Sequence, residues 1–136
     1  MVSRLMSCRR GAVSVEAAIL WPVMIALVIG TIEFALLLFT YSSMQAAARD
    51  VARQLALNFA TPAQAAAEVA ARMPRWTDGV SVVEVTQSAP GDPATNVIRL
   101  SVTLPAVEAT PVRLFTHAAD AVELRAQVTM KQELPL

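Results

Sequence analysis

The sequence predicts an α+β protein: a long N-terminal transmembrane helix continuing into a small domain with a short helix and a roughly three-stranded antiparallel sheet. Three observations predict it. From Ala17 to Tyr41 the only charged side chain is Glu33. Beyond that run, apolar residues recur at three- and four-residue steps. The C-terminal half then carries three strand-like stretches rich in β-branched residues.

The chain of 136 residues opens with a basic leader, in which Arg4, Arg9 and Arg10 have no acid among them. The whole chain is formally neutral, with 11 basic and 11 acidic side chains. Without residues 1–11 it is acidic, because the leader holds part of the basic count. The lone cysteine, Cys8, cannot form an internal disulfide. Leu5-Met6-Ser7-Cys8 looks like a lipid-attachment box, but such a box follows an apolar stretch and this one precedes it.

The apolar run is long enough to span a hydrocarbon core about 30 Å thick, which takes about 20 helical residues. A buried core helix of that length needs a domain around it. The part left to fold in water is too small to surround one. The basic flank at Arg9 and Arg10 orients the N-terminus to the cytoplasm. The division is therefore leader 1–11, transmembrane helix 12–41 and periplasmic domain 42–136. The expected location is a bacterial inner membrane, crossed once. A cleaved secretory signal ending at Ala46-Ala47-Ala48 is the competing reading, but the apolar core of such signals is about 7–15 residues.

Inside the span, Pro22 removes one backbone donor and crowds the carbonyl of Ala18, which predicts a bend. Ala26 and Gly30 put two small residues on one face, a surface for close helix packing. Phe34, Phe39 and Tyr41 suit the outer interfacial zone, and Glu33 is expected to snorkel there to water or headgroups.

Past the membrane, Met44, Ala47, Ala48, Val51, Leu55 and Phe59 form one stripe, read as the core face of the domain. Arg49 and Arg53 fall on another face beside Asp50. Asn58 and Thr61-Pro62 punctuate the end. Thr61 is the expected N-cap of a second helix, with Pro62 at its first position, running to about Met73 and stopped by Pro74. Val80–Gln87 reads as a strand, and 89–93 as a turn. Val97–Leu104 alternates strictly, with Ile98, Leu100, Val102 and Leu104 on one face. Val122, Leu124, Ala126, Val128 and Met130 do the same in the last strand. Residues 105–120 connect these two, with a short helical turn expected around Leu114.

Chemistry is sparse. His117 is the single histidine, and with Cys8 it cannot make a zinc site. It is read as a polar loop residue. Glu84, Glu108 and Glu123 are scattered surface acids, and four glycines build no phosphate-cradling loop. No catalytic residue, metal or cofactor is expected, and no basic face for nucleic acid.

The sharpest signal lies between leader and span. Arg9-Arg10-Gly11 is followed by Glu16, five residues after Gly11, at the very edge of the apolar run. An acid at that place is expensive unless paired. Cleavage after Gly11 would start a new chain at Ala12, whose α-amino group lies about one helical turn from Glu16. The plainer reading leaves Glu16 at the headgroup level.

This spacing resembles the class III signal of type IV pilins and pseudopilins. The stretch from Gly11 to Pro22, with Val15-Glu16 and Pro six residues after the Glu, resembles the TadE-like family of tight-adherence pilus systems. Further likeness lies in Ile32-Glu33-Phe34, in the run from Ala46 to Arg53 and in the closing strand from Ala126 to Glu133; the strong part covers Gly11 to about Leu57. Ala17 stands where the family usually has Phe. The resemblance implies a pilin-like fold and removal of the leader by a prepilin peptidase, with Gly11 and Ala12 flanking the cut bond and Glu16 as recognition and register acid. It also implies a minor pseudopilin, not an enzyme, required to assemble a Flp-type pilus used in adhesion and biofilm formation. Its partners would be the peptidase, other pseudopilins and pilus assembly proteins, and the lipid bilayer. The alternative is a membrane-tethered binding or scaffold module whose helix is only an anchor.

Overall fold

A computed structural model describes residues 9–116 and 121–133, with side chains described from Ser14 onward. Cys8 and His117 therefore lie outside the described residues. Helix α1 runs Arg9–Ala56. The chain divides into two compact units, the first ending at Ile32 and the second beginning at Glu33.

The first unit is a bare apolar helix segment. Its large side chains are exposed, including Ile19, Trp21 and Leu27 at 60% or more. Surface of this kind belongs in lipid or against other helices rather than in water. Among the described residues, one helix is long and apolar enough to cross a membrane, and it is this one. Pro22 lies inside α1 without ending it. Ala26 and Gly30 are half-buried. The Thr31 hydroxyl donates to the Leu27 carbonyl at 2.8 Å, satisfying its polar group within the helix.

The second unit carries the core. Met44, Ala47, Ala48, Val51 and Leu55 are all buried on α1, as the stripe predicts, and Ala52 and Ala56 join them. Phe59 does not; it is 81% exposed. The reason is the helix end. Asn58 adopts a left-handed backbone, φ 61°. Phe59 N–H donates to the Gln54 carbonyl at 2.8 Å and Asn58 N–H to the Leu55 carbonyl at 3.2 Å. This paired closure turns the chain out of the helix before Phe59 can reach the core face.

The second helix, α2, is shorter than expected, Ala65–Ala70, with Gln64 at its N-cap. Thr61 does not cap it through its side chain. Its hydroxyl and its N–H both meet the Gln64 side-chain oxygen, at 3.0 and 3.1 Å. Residues 62–64 form a turn instead of a first helical turn. Arg72 ties this region to α1: it donates to Asp50 at 2.8 Å and to Glu68 at 2.5 Å. The Glu68 hydrogen bond, helped by Asp50, holds its guanidinium above its ordinary value. A short 3-10 turn, Arg75–Thr77, follows Pro74, and Gly79 supplies a positive φ of 77° before the sheet.

Strands β1 (Val82–Gln87), β2 (Val97–Pro105) and β3 (Glu123–Lys131) form, among the described residues, a three-stranded antiparallel sheet in the order β1-β2-β3. The fold class read from the sequence is the one observed. Val85 opposes Leu100, and Leu100 opposes Val128. This register aligns the inward residues across all three strands. Ile98, Leu100, Val102, Leu104 and Ala126 are fully buried and share one cluster with the buried face of α1. In the β2–β3 connection a 3-10 turn lies at Ala106–Glu108. Leu114 and Phe115 form a bend rather than the helical turn expected around Leu114.

Two polar contacts tie the two ends of the buried part of α1 to segments that flank the sheet. At one end, Glu133 N–H donates to the Ala56 carbonyl at 3.0 Å. At the other, the Thr40 hydroxyl donates to the Ala109 carbonyl at 2.6 Å. The chain direction of α1 from Thr40 to Ala56 thus matches that of β3.

Candidate functional site

The second unit starts with a charged side chain taken out of water. Glu33 is 2% exposed. It does not snorkel, contrary to the sequence expectation. Its carboxylate accepts four hydrogen bonds from one bend of the β2–β3 connection. Leu114 N–H and Phe115 N–H donate to one oxygen at 3.1 and 2.8 Å. Thr116 N–H and its hydroxyl donate to the other at 2.8 and 2.7 Å. Three successive backbone N–H groups converging on one anion make a nest. Hydrogen bonds to a charged group are the stronger kind, about 1.5–3 kcal/mol each, and together they offset the cost of burying the carboxylate.

About two turns along α1, Thr40 repeats the device with neutral groups. Trp76 Nε1–H is shared between the Thr40 hydroxyl at 3.2 Å and the Ala109 carbonyl at 3.1 Å. The Trp76 ring lies 6.1 Å from that of Phe39. Polar anchors at Glu33 and Thr40 therefore hold both ends of residues 109–116 against the helix. Large apolar side chains around them stay exposed: Phe34, Leu38, Leu114 and Phe115 are each 49% or more exposed.

With four donors in place, the Glu33 carboxylate is an anchor, not a proton-transfer group. No group of three or more His, Cys, Asp and Glu side chains able to hold a metal occurs among the described residues. Every buried side-chain nitrogen and oxygen among them has a hydrogen-bond partner.

The residues expected to flank a cleavage lie elsewhere on the chain. Gly11 and Ala12 fall within the first turns of α1. Glu16 lies on the same helix and is exposed, one turn from Ala12 in register. Pro22, Ala26 and Gly30 follow on α1 in the first unit. These six residues therefore share one helix, whereas the Glu33 nest belongs to the globular unit. Sequence reasoning singled out Glu33 but missed Thr116, Thr40 and Trp76. An acid in the middle of an apolar run was the available signal. Nothing in the sequence pairs it with a bend 83 residues away.

Residues 11–53 match the family described as TadE-like protein. This segment is TadE-like. The match opens on Gly11 and runs through Glu16, Glu33 and Thr40 into the buried stripe of α1. TadE-like proteins are pilus components rather than enzymes, and the family is linked to tight-adherence pili. Residues 54–136 lie beyond the TadE-like match. No curated protein and no solved structure matched the chain.

Proposed function

We propose that this protein is a minor pseudopilin of a tight-adherence pilus. It is made with a basic leader, cut by a prepilin peptidase between Gly11 and Ala12, and required to assemble the Flp-type fibre. The observation that carries this reading is that the TadE-like match begins on Gly11 itself and contains the acid at the fifth following position. A bare apolar helix segment with an exposed Glu16 at its start supports it. Such a segment packs against the equivalent helices of other pseudopilins, and the Ala12 amine and Glu16 set their axial register.

In this reading the protein lies in the inner membrane with the leader in the cytoplasm and the sheet domain in the periplasm. The decisive experiment is co-expression with a prepilin peptidase and an intact-mass measurement. A chain beginning at Ala12 is expected. A leader left intact beside an active peptidase overturns the pseudopilin mechanism and leaves the anchored-module alternative.

A further inference from the structure

We infer that the free edge of β3 pairs with the free edge of β1 in a second copy of the chain, strand parallel to strand, so that copies join side by side through one sheet. The pairing needs copies that share a direction, and in that respect it rests on the reading of the apolar helix as a membrane span.

The sheet ends at β1 and β3, and each of these strands has β2 as its one strand neighbour among the described residues. An antiparallel pair bonds at alternate residues. Gln132 N–H donates to the Asn96 carbonyl at 2.9 Å and Ala106 N–H to the Val122 carbonyl at 2.8 Å. The even-numbered residues of β3 therefore bond to β2, and Arg125, Gln127 and Thr129 turn their N–H and carbonyl groups to the open edge. Ser88 N–H donates to the Val97 carbonyl at 3.1 Å, so by the same alternation Val83, Val85 and Gln87 turn theirs to the open edge of β1. Edge strands are commonly guarded by proline, a bulge or an inward-pointing charge. β3 carries none of these. It pairs with β2 without interruption, it has no proline, and its inward side chains are Leu124, Ala126, Val128 and Met130.

β1 and β3 both run antiparallel to β2 and hence parallel to each other. A second copy in the same orientation therefore presents its β1 to β3 as a parallel strand. In such a pair a residue that bonds toward the partner lies opposite one that bonds away from it. Arg125 opposite Glu84 meets this condition, because Glu84 bonds back to its own β2. In this register Gln127 lies opposite Thr86 on the outer face, while Leu124 and Ala126 lie opposite Val83 and Val85 on the inner one. Among the described residues neither Arg125 nor Glu84 is in an ion pair, and Glu84 accepts only a long hydrogen bond of 3.5 Å from the Ser101 hydroxyl. Opposite charges on facing strands stabilise a sheet and like charges destabilise it. A shift of two residues sets Glu84 against Glu123 or against Gln127, and a shift of one turns the apolar face outward. Charge and burial together select one register. Each copy keeps one complementary edge free, so the contact repeats head to tail.

The competing pair is β3 with a second β3, antiparallel. Thr40 and Ala56 tie to segments at opposite ends of β3. Antiparallel pairing thus puts the Thr40 ends of two copies at opposite ends of the joined sheet. Chains that reach their domains from one membrane arrive at like ends, which parallel pairing keeps together.

The test uses full-length protein with Cys8→Ser in isolated membranes, oxidised with copper phenanthroline. One tagged copy carries Thr86→Cys and a second copy, with a different tag, carries Gln127→Cys; both positions are exposed. Val82→Cys with Glu123→Cys is a second opposed pair, also exposed. A disulfide joining the two tags is expected for both pairs, and none when a single variant is present alone. Arg125→Glu in the Gln127→Cys copy is expected to lower the yield several-fold, and Glu84→Arg in the Thr86→Cys copy to restore it. Absence of the mixed disulfide in both pairs overturns the pairing. Self-linking of Gln127→Cys alone shows β3 against β3 and overturns it as well. A yield indifferent to both charge changes overturns the register. Release of the protein by alkaline carbonate overturns the span, whereas retention with no mixed disulfide overturns the pairing alone.

Discussion

The Glu33 carboxylate accepts both the backbone N–H and the hydroxyl of Thr116, at 2.8 and 2.7 Å, across 83 positions of sequence. Residues near the start of the globular unit are thereby locked to a bend just before its last strand. Glu33→Ala leaves the buried N–H and hydroxyl of Thr116 and the part-buried N–H groups of Leu114 and Phe115 without an acceptor, and a buried donor left unpaired costs about 1–3 kcal/mol. A loss of about 3 kcal/mol or more is expected by thermal or denaturant unfolding in detergent. Glu33→Gln should lose a substantial part of that, because its amide nitrogen would face donors. A Glu33→Gln protein as stable as the parent would show that the carboxylate is not the acceptor the bend requires.

Trp76 and Thr40 converge on the Ala109 carbonyl. Trp76→Phe removes a donor that two acceptors share, and Thr40→Val removes the other. Each is expected to cost about 1 kcal/mol, and the two together less or more than their sum, because they share a partner. A double-mutant cycle with no coupling term would contradict the shared geometry.

Ala48 is fully buried on the face of α1 that joins the sheet core. Its small side chain leaves little room there. Ala48→Leu inserts volume into a packed interior and should destabilise the domain by about 1–3 kcal/mol. Leu100→Ala, which empties the centre of the middle strand, should cost about 2–5 kcal/mol. Near-native unfolding midpoints for both would refute the common core.

Arg72 bridges Asp50 on α1 and Glu68 on α2, but all three side chains are 31% or more exposed. Surface pairs of this kind contribute about 0–1 kcal/mol and are screened by salt. Arg72→Ala is therefore expected to shift the midpoint slightly at low ionic strength and not at all near 1 M salt. A large, salt-independent shift would mean that the arginine stem packs as well as pairs.

Glu16 gives the functional counterpart. Glu16→Ala should still insert and fold, since the side chain is exposed and far along the chain from the core. Pili are expected to be lost on electron micrographs of cells carrying it. Normal piliation would make Glu16 a bystander.

By itself the sequence determined those features that rest on local periodicity and composition. The apolar run is a statement of composition, and the buried stripe from Met44 to Leu55 follows from the helical repeat. Strict alternation in 97–104 told which side chains face inward, and all four are fully buried. Gly11 and Glu16 are likewise read from spacing along one helix, and their proposed part in processing is what the intact-mass experiment tests. Tertiary structure alone decided the fates of Phe59 and Glu33. A left-handed Asn58 takes Phe59 off the stripe it continues in sequence. Glu33 is buried rather than snorkelling because three N–H groups of a distant bend solvate its carboxylate in place of water. Long-range hydrogen bonds to backbone leave no pattern in the residues that donate them. Every non-proline residue carries the same N–H, so only the folded chain shows which ones meet the acid.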